Sequence, residues 1–125
     1  YCFRSVPGVC KIGGYEGNGS ADGPYIQTGF KPRWIIIKNM DVARDWTIAD
    51  TARHPSNVVG EFLYASSSAV ESARGVTSGT DYDLDILSDG FKIRTVDGAL
   101  NDSTLIYMAM AEIGGNGTLP PIYGR

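Results

Sequence analysis

Six short stretches of this chain carry the period of a β-strand and none of them carries the period of a helix. "RWIIIKNM" (33–40) is a β-branched run that starts just after a Lys-Pro pair and stops at Asp41. "DWTIAD" (45–50) and "YDLDIL" (82–87) alternate apolar with polar residues. "VVGEFLYA" (58–65), "FKIRT" (91–95) and "TLIYMAMAE" (104–112) have the same character. Side chains repeat every two residues along a strand, so such stretches place one set on one face of a sheet. Between them lie "EGNGSADG" (16–23), "MDVARD" (40–45), "LSDG" (87–90) and "TVDGALND" (95–102), which hold the Gly, Asn and Asp that turns require. One stretch, "SSSAVESAR" (66–74), predicts a helix, because Ser68 and Glu71 stand at capping-box spacing.

About eight short strands separated by tight turns predict an all-β, two-layer antiparallel β-sandwich, jelly-roll or lectin-like. Its expected core is Trp34, Ile36, Trp46, Ile48, Phe62, Tyr64, Ile86, Phe91, Ile93, Ile106 and Met108. Pro32 is read as the start of a central strand, since proline cannot donate to a ladder. Gly29 is read as a turn residue.

The 125 residues suit one domain, large enough to bury a core without disulfide or metal staples. A charged fraction of 20% beside 42% hydrophobic residues is that of a globular chain. The net charge of −3 argues against a nucleic-acid partner, which needs a basic surface. No apolar run reaches the ~18 residues of a membrane span, so no membrane insertion is expected. The first twenty residues lack the pattern of a signal peptide.

Groups able to carry chemistry are sparse. Cys2 and Cys10 are too few for a disulfide framework and read as free thiols. With one histidine and no Cys-x-x-Cys, zinc-ligand spacing is absent. Asp81, Asp83 and Asp85 imitate the start of a calcium loop, but Ile86 and Lys92 occupy the places of its glycine and glutamate; an acidic strand face is the better reading. No cofactor or metal is therefore expected. His54 precedes Pro55 in a polar loop, and no serine stands in a Gly-x-Ser-x-Gly elbow, so no hydrolytic triad is read here. Asn18, Asn101 and Asn116 open Asn-x-Ser/Thr triplets, which turn-rich sequences produce readily, and they are read as turn residues. Trp34, Trp46, Tyr64 and Tyr82 have faces that stack on sugars, although aromatics at strand positions usually belong to the core. Arg53 follows Asp50 at a spacing that suits a local ion pair.

The succession "KIGGYEGNGSADGPYIQTGFKPRWIIIK" (11–38), "DWTIADTAR" (45–53), "LDILSDGFKIRT" (84–95) and "YMAMAE" (107–112) resembles a domain of tail-fibre and other virion proteins of tailed, particularly marine, bacteriophages. The resemblance implies tandem copies, so residues 1–8 are expected to be the last strand of a preceding copy or a linker. Residues 9–114 are then the sandwich and 115–125 a C-terminal tail. It also implies a non-catalytic virion protein, assembled in the host cytoplasm and acting in host attachment. A purely structural spacer or capsid-decoration domain is the alternative, and a polysaccharide-degrading tailspike a weaker one. The partners it implies are other copies of the fibre, as a homotrimer, other virion proteins, and a host surface polysaccharide or outer-membrane receptor. It brings no catalytic residue.

Loops carry function on rigid sandwiches. Segments 53–57 and 78–83 hold the groups a sugar site uses: Arg53, His54, Asn57, Asp81, Tyr82 and Asp83. Arg, Asn and Asp offer planar hydrogen bonds to paired hydroxyls, and Tyr82 a flat apolar face.

Overall fold

A computed structural model describes residues 2–69, 72–73 and 84–112. Nine strands and one helical turn follow in order: β1 (Cys10–Glu16), β2 (Tyr25–Gln27), β3 (Pro32–Asn39), β4 (Thr47–Asp50), β5 (Glu61–Tyr64), β6 (Ser72–Ala73), β7 (Leu84–Leu87), β8 (Gly90–Ile93), α1 (Gly98–Asn101) and β9 (Thr104–Ala111). They form two antiparallel sheets, one of six strands in the order β1-β9-β3-β4-β5-β6 and one of three in the order β2-β8-β7. This is the expected all-β sandwich.

The core lies between the sheets. Ile35, Ile37, Ala49, Phe62, Leu105, Tyr107 and Ala109 from the larger sheet meet Ile26, Leu84, Ile86, Phe91 and Ile93 from the smaller one. Three rings join the layers. Phe91 of β8 stands edge-on to Tyr107 of β9 at 5.3 Å, and Tyr15 of β1 approaches each of them at 6.3 Å. Edge-to-face geometry suits the ring quadrupoles and adds about 1 kcal/mol per pair beyond burial.

The expected core is right for Phe62, Ile86, Phe91 and Ile93, and Tyr64 packs at its margin. In β3, β4 and β9 it is on the wrong face. Ile35 and Ile37 are buried, while Trp34 and Ile36 point away. Thr47 and Ala49 are buried in place of Trp46 and Ile48, and Leu105, Tyr107 and Ala109 in place of Ile106 and Met108. Both faces of β3 and β9 are apolar, so a period of two finds these strands without saying which face turns inward. Strand β4 follows the register of β3, which sets Thr47 beside Ile37 and Ala49 beside Ile35 against its own alternation. Asn39 marks the inward parity of β3: it shares that of Ile35 and Ile37 and is fully buried, with its polar atoms bonded.

The helix expected over 66–74 is not formed. Residues 66–69 are turn and coil, Ser72–Ala73 pair with β5, and residues 70, 71 and 74 lie outside those described. The serine hydroxyls serve other bonds: Ser66 Oγ accepts from Trp46 N and donates to Asp45, and Ser67 Oγ accepts from Ala69 N. The local Ser67 bond competes with a helix, and the Ser66 bonds tie the segment to the start of β4 instead. The helical turn occurs instead at Gly98–Asn101, where Asp97 caps it by accepting from Ala99 N at 2.7 Å.

Pro32 does open β3, and Gly29 has a φ of +84°, the left-handed turn geometry that glycine supplies. Residues before β1 fold back on it. Val6 and Cys10 form an antiparallel bridge, and Ser5 Oγ accepts from Ile12 N at 3.0 Å. Cys2 and Cys10 are free thiols.

One buried polar atom is left over. The Thr47 hydroxyl, on a residue 1% exposed, has no hydrogen-bond partner among the described residues. Thr47→Val keeps the shape and removes the orphan, so it should stabilise the domain by about 1 kcal/mol. Urea denaturation of both chains measures this, and a loss of stability would contradict the assignment.

Burial raises the Tyr15 phenol far above its ordinary value, and desolvation moves Tyr107 in the same direction. Tyr15 also donates its hydroxyl to Leu100 O at 2.7 Å. In the unfolded chain these phenols ionise near pH 10. Their contribution to stability is therefore whole below about pH 10 and is lost as the pH rises towards the folded values. The thermal midpoint should be level up to about pH 9 and fall above about pH 10. Tyr15→Phe should make that fall shallower in a calorimetric pH series; an identical fall would contradict the assignment.

Candidate functional site

The sandwich has two ends and one outer face that differ in chemistry. At the first end, two buried asparagines hold the loops. Asn39 Nδ2 donates to Gly98 O and Asp102 O at 2.7 Å each, and its Oδ1 accepts from Asp41 N and Val42 N at 2.9 Å. Asn101, fully buried, accepts from Asn18 N and donates to Ser20 O and Thr95 O. A residue so enclosed is no glycan acceptor in the folded chain. These loops, 16–23, 40–45 and 95–103, are fixed by their own polar groups.

The other end carries the loop from β4 to β5. Arg53 N and His54 N both donate to Asp50 O at 3.1 Å, which places these two side chains in one turn. Arg53 is exposed and His54 half-buried, with Nδ1 facing Gly60 N at 3.5 Å. Asn57 is a structural anchor. Its Nδ2 donates to Ile86 O at 2.7 Å and its Oδ1 accepts from Ile86 N at 2.9 Å, so the amide imitates a strand neighbour of β7. Asp81, Tyr82 and Asp83 lie outside the described residues. The turn thus brings Arg53 and His54 together and is tied down through Asn57. Asp50 bonds Ala52 N at 2.8 Å and faces Arg33 Nε at 3.9 Å. Beside this turn a cleft of about 250 Å³ is lined by Lys31, Arg33, Thr51, Ala52, Pro55 and Glu112, and Arg33 pairs with Glu112 at 3.4 Å.

The outer face of the six-stranded sheet has no counterpart among the sequence expectations. Directly paired residues share a face, so the register Ile12–Met108–Ile36–Ile48–Leu63 is one apolar row across five strands. None of these side chains belongs to the core cluster. The next row holds Cys10, Met110, Trp34 and Asp50, and the row on the other side Gly14, Ile106 and Lys38. Met110 is 40% exposed and Ile106 36%.

Trp46 continues this face. The alternation that turns Thr47 inward turns Trp46 outward, where it is 38% exposed rather than in the expected core. It lines an open cleft of about 580 Å³ with Lys38, Ala43, Arg44, Asp45 and Ser66. Acidic residues mark the opposite end of the face, at Asp50 and Glu61. The arrangement is an apolar centre with a charged rim, the anatomy of a protein interface. Its sequence signal is the second apolar parity of β3 and β9.

Residues 1–113 match the model of a domain family of unknown function, DUF7483. The chain belongs to this family. Nearly the whole of the DUF7483 chain, including the segment that folds back on β1, falls within the match. No curated protein matches it. No solved structure matches it either. Among the described residues of this DUF7483 chain, no group of three or more His, Cys, Asp and Glu is placed to hold a metal ion. No helix among them is long and apolar enough to cross a membrane.

Proposed function

We propose that the chain is a non-catalytic structural domain of a phage virion fibre, joined to neighbouring polypeptide through the outer face of its larger sheet. The observation that carries this reading is the apolar row Ile12–Met108–Ile36–Ile48–Leu63, which crosses five strands outside the core. An apolar sheet face of this extent is costly to leave in water and marks a surface that takes a partner. The sequence resemblance to tail-fibre domains supplies the setting.

In that setting the Arg53–His54 turn faces the host. It sits at the end of the sandwich, on a loop anchored by Asn57, and carries donors suited to glycan hydroxyls. A shallow contact of this sort binds weakly, near millimolar per copy, and gains strength from several copies on one particle. Antibodies raised against the domain should decorate the fibres of intact virions in electron micrographs. The double change Arg53→Ala and His54→Ala should slow adsorption to host cells. Decoration with unaltered adsorption would leave the domain a spacer; absence of decoration would remove it from the fibre.

A further inference from the structure

We propose that the outer face of the six-stranded sheet pairs with the same face of a second copy of this chain, about a two-fold axis. This rests on the reading of the face as a joining surface and names its partner as a two-fold mate, in place of the homotrimer that the resemblance implies. Three observations lead to a second copy.

The first is extent. Five strands about 4.8 Å apart, three of seven or eight residues and two of four at about 3.4 Å each, give roughly 500 Å² of face, or roughly 1,000 Å² for two copies. A specific interface needs about 1,000 Å² or more, so two such faces suffice for each other.

The second is the distribution of charge. Lys38 and Arg44 stand at the end of the face beside Trp46, where Asp45 and Glu16 also lie, while Asp50 and Glu61 stand at the opposite end with Arg33 beside Asp50. An axis running along the apolar row leaves each strand in place and exchanges its ends. The Asp50 end of one copy then lies over the Lys38, Arg44 and Trp46 cleft of the other. Lys38 and Arg44 of each copy then stand against the Asp50 and Glu61 end of the other, once on each side of the axis. Within its own chain, Asp50 meets Ala52 N and Arg33 through Oδ1. Asp45, the acidic residue within the cleft, accepts from the Ser66 hydroxyl at 3.0 Å.

The third is the row itself. Residues on the axis face their own copies, so Ile36 meets Ile36 and Met108 meets Met108. An uncharged apolar row is what self-pairing requires, since a charge on the axis would meet its like. Two sheets packed in this way stand about 10 Å apart with side chains interdigitated.

The test places a thiol on the axis. In a chain with Cys2→Ser and Cys10→Ser, Ile36→Cys should form a covalent dimer in high yield under mild oxidation. Val96→Cys, on an exposed loop position (63%) away from the face, should form less than a tenth as much. Sedimentation of the unmodified chain should show a monomer–dimer equilibrium. Equal cross-linking at both positions, or a trimer in sedimentation, would overturn the two-fold pairing. A monomer whose Cys at position 36 reacts freely with a thiol reagent would mean that no second copy binds there. A monomer in which it does not react would mean that the chain covers the face itself. Either of these results also overturns the proposal.

Discussion

Gly90→Ala should remove β2 from the smaller sheet and lower stability by about 3 kcal/mol, close to a 10 °C drop in thermal midpoint. A Cβ at Gly90 would fall well inside van der Waals contact distance of Ile26 O, and would also crowd the Gln27 backbone. The atoms in the way are main chain, so no rotamer change relieves them. Gly90 opens β8 and pairs with Gln27 on one side and Leu87 on the other. The two-residue turn Ser88-Asp89 fixes the β7 side, and β2 has only three residues to hold it. The strain is therefore released by letting β2 go. Ile26, 7% exposed in the native chain, then leaves the core. Hydrogen exchange should show lost protection at Ile26 and Thr28 before global unfolding; unchanged protection would mean that β8 moves instead.

Asn101→Ala should cost about as much, roughly 3 kcal/mol, through a different route. The side chain accepts from Asn18 N at 2.9 Å and donates to Ser20 O and Thr95 O at 2.7 Å each. Alanine leaves those groups without their partner inside the protein and opens a void at a fully buried position. Asn101→Asp should be worse. It retains the acceptor for Asn18 N but sets a carboxylate against two carbonyl oxygens, with no donor to offer either of them. Chemical denaturation of the three chains ranks them, and an aspartate variant more stable than the alanine one would contradict this bond assignment. Loosening of loop 17–22 should accompany both changes, since Gly17 N and Gly19 N also bond the backbone of 101–103.

Six of the nine described strands were legible because each apolar stretch ends on residues with turn chemistry; β1 and β2 were not read as strands, and β6 lies in the stretch read as helix. Leu84–Leu87 and Gly90–Ile93 flank a turn visible in "LSDG". What sequence could not give was the direction of β3, β4 and β9. In β3 and β9 both parities are apolar and the inward face is decided by what the second sheet can cover. In β4 the pairing with β3 overrides an alternation that pointed Trp46 and Ile48 inward, and Thr47 and Ala49 are buried beside Ile37 and Ile35. The same ambiguity concealed the outer face, which is built largely from residues expected in the core. Asn101 was visible only as part of a triplet, because its partner Asn18 lies 83 residues away. Of the six expected ligand residues, Arg53 and His54 share a turn, Asn57 braces it, and Asp81, Tyr82 and Asp83 lie outside the described residues.

Hydroxyl-radical footprinting of the assembled particle tests the central claim most directly, because it reads the outer face whatever the partner is. Met108, Met110, Trp34 and Trp46 supply oxidisable probes across that face, and Met40, 58% exposed, a reference in a loop. Relative to the isolated chain at concentrations too low for pairing, the four probes should be protected several-fold in the particle while Met40 is oxidised at the same rate. Protection in the particle without dimerisation of the isolated chain would keep the joining surface and discard the second copy as its partner. Equal oxidation of all four probes in particle and isolated chain would contradict the account.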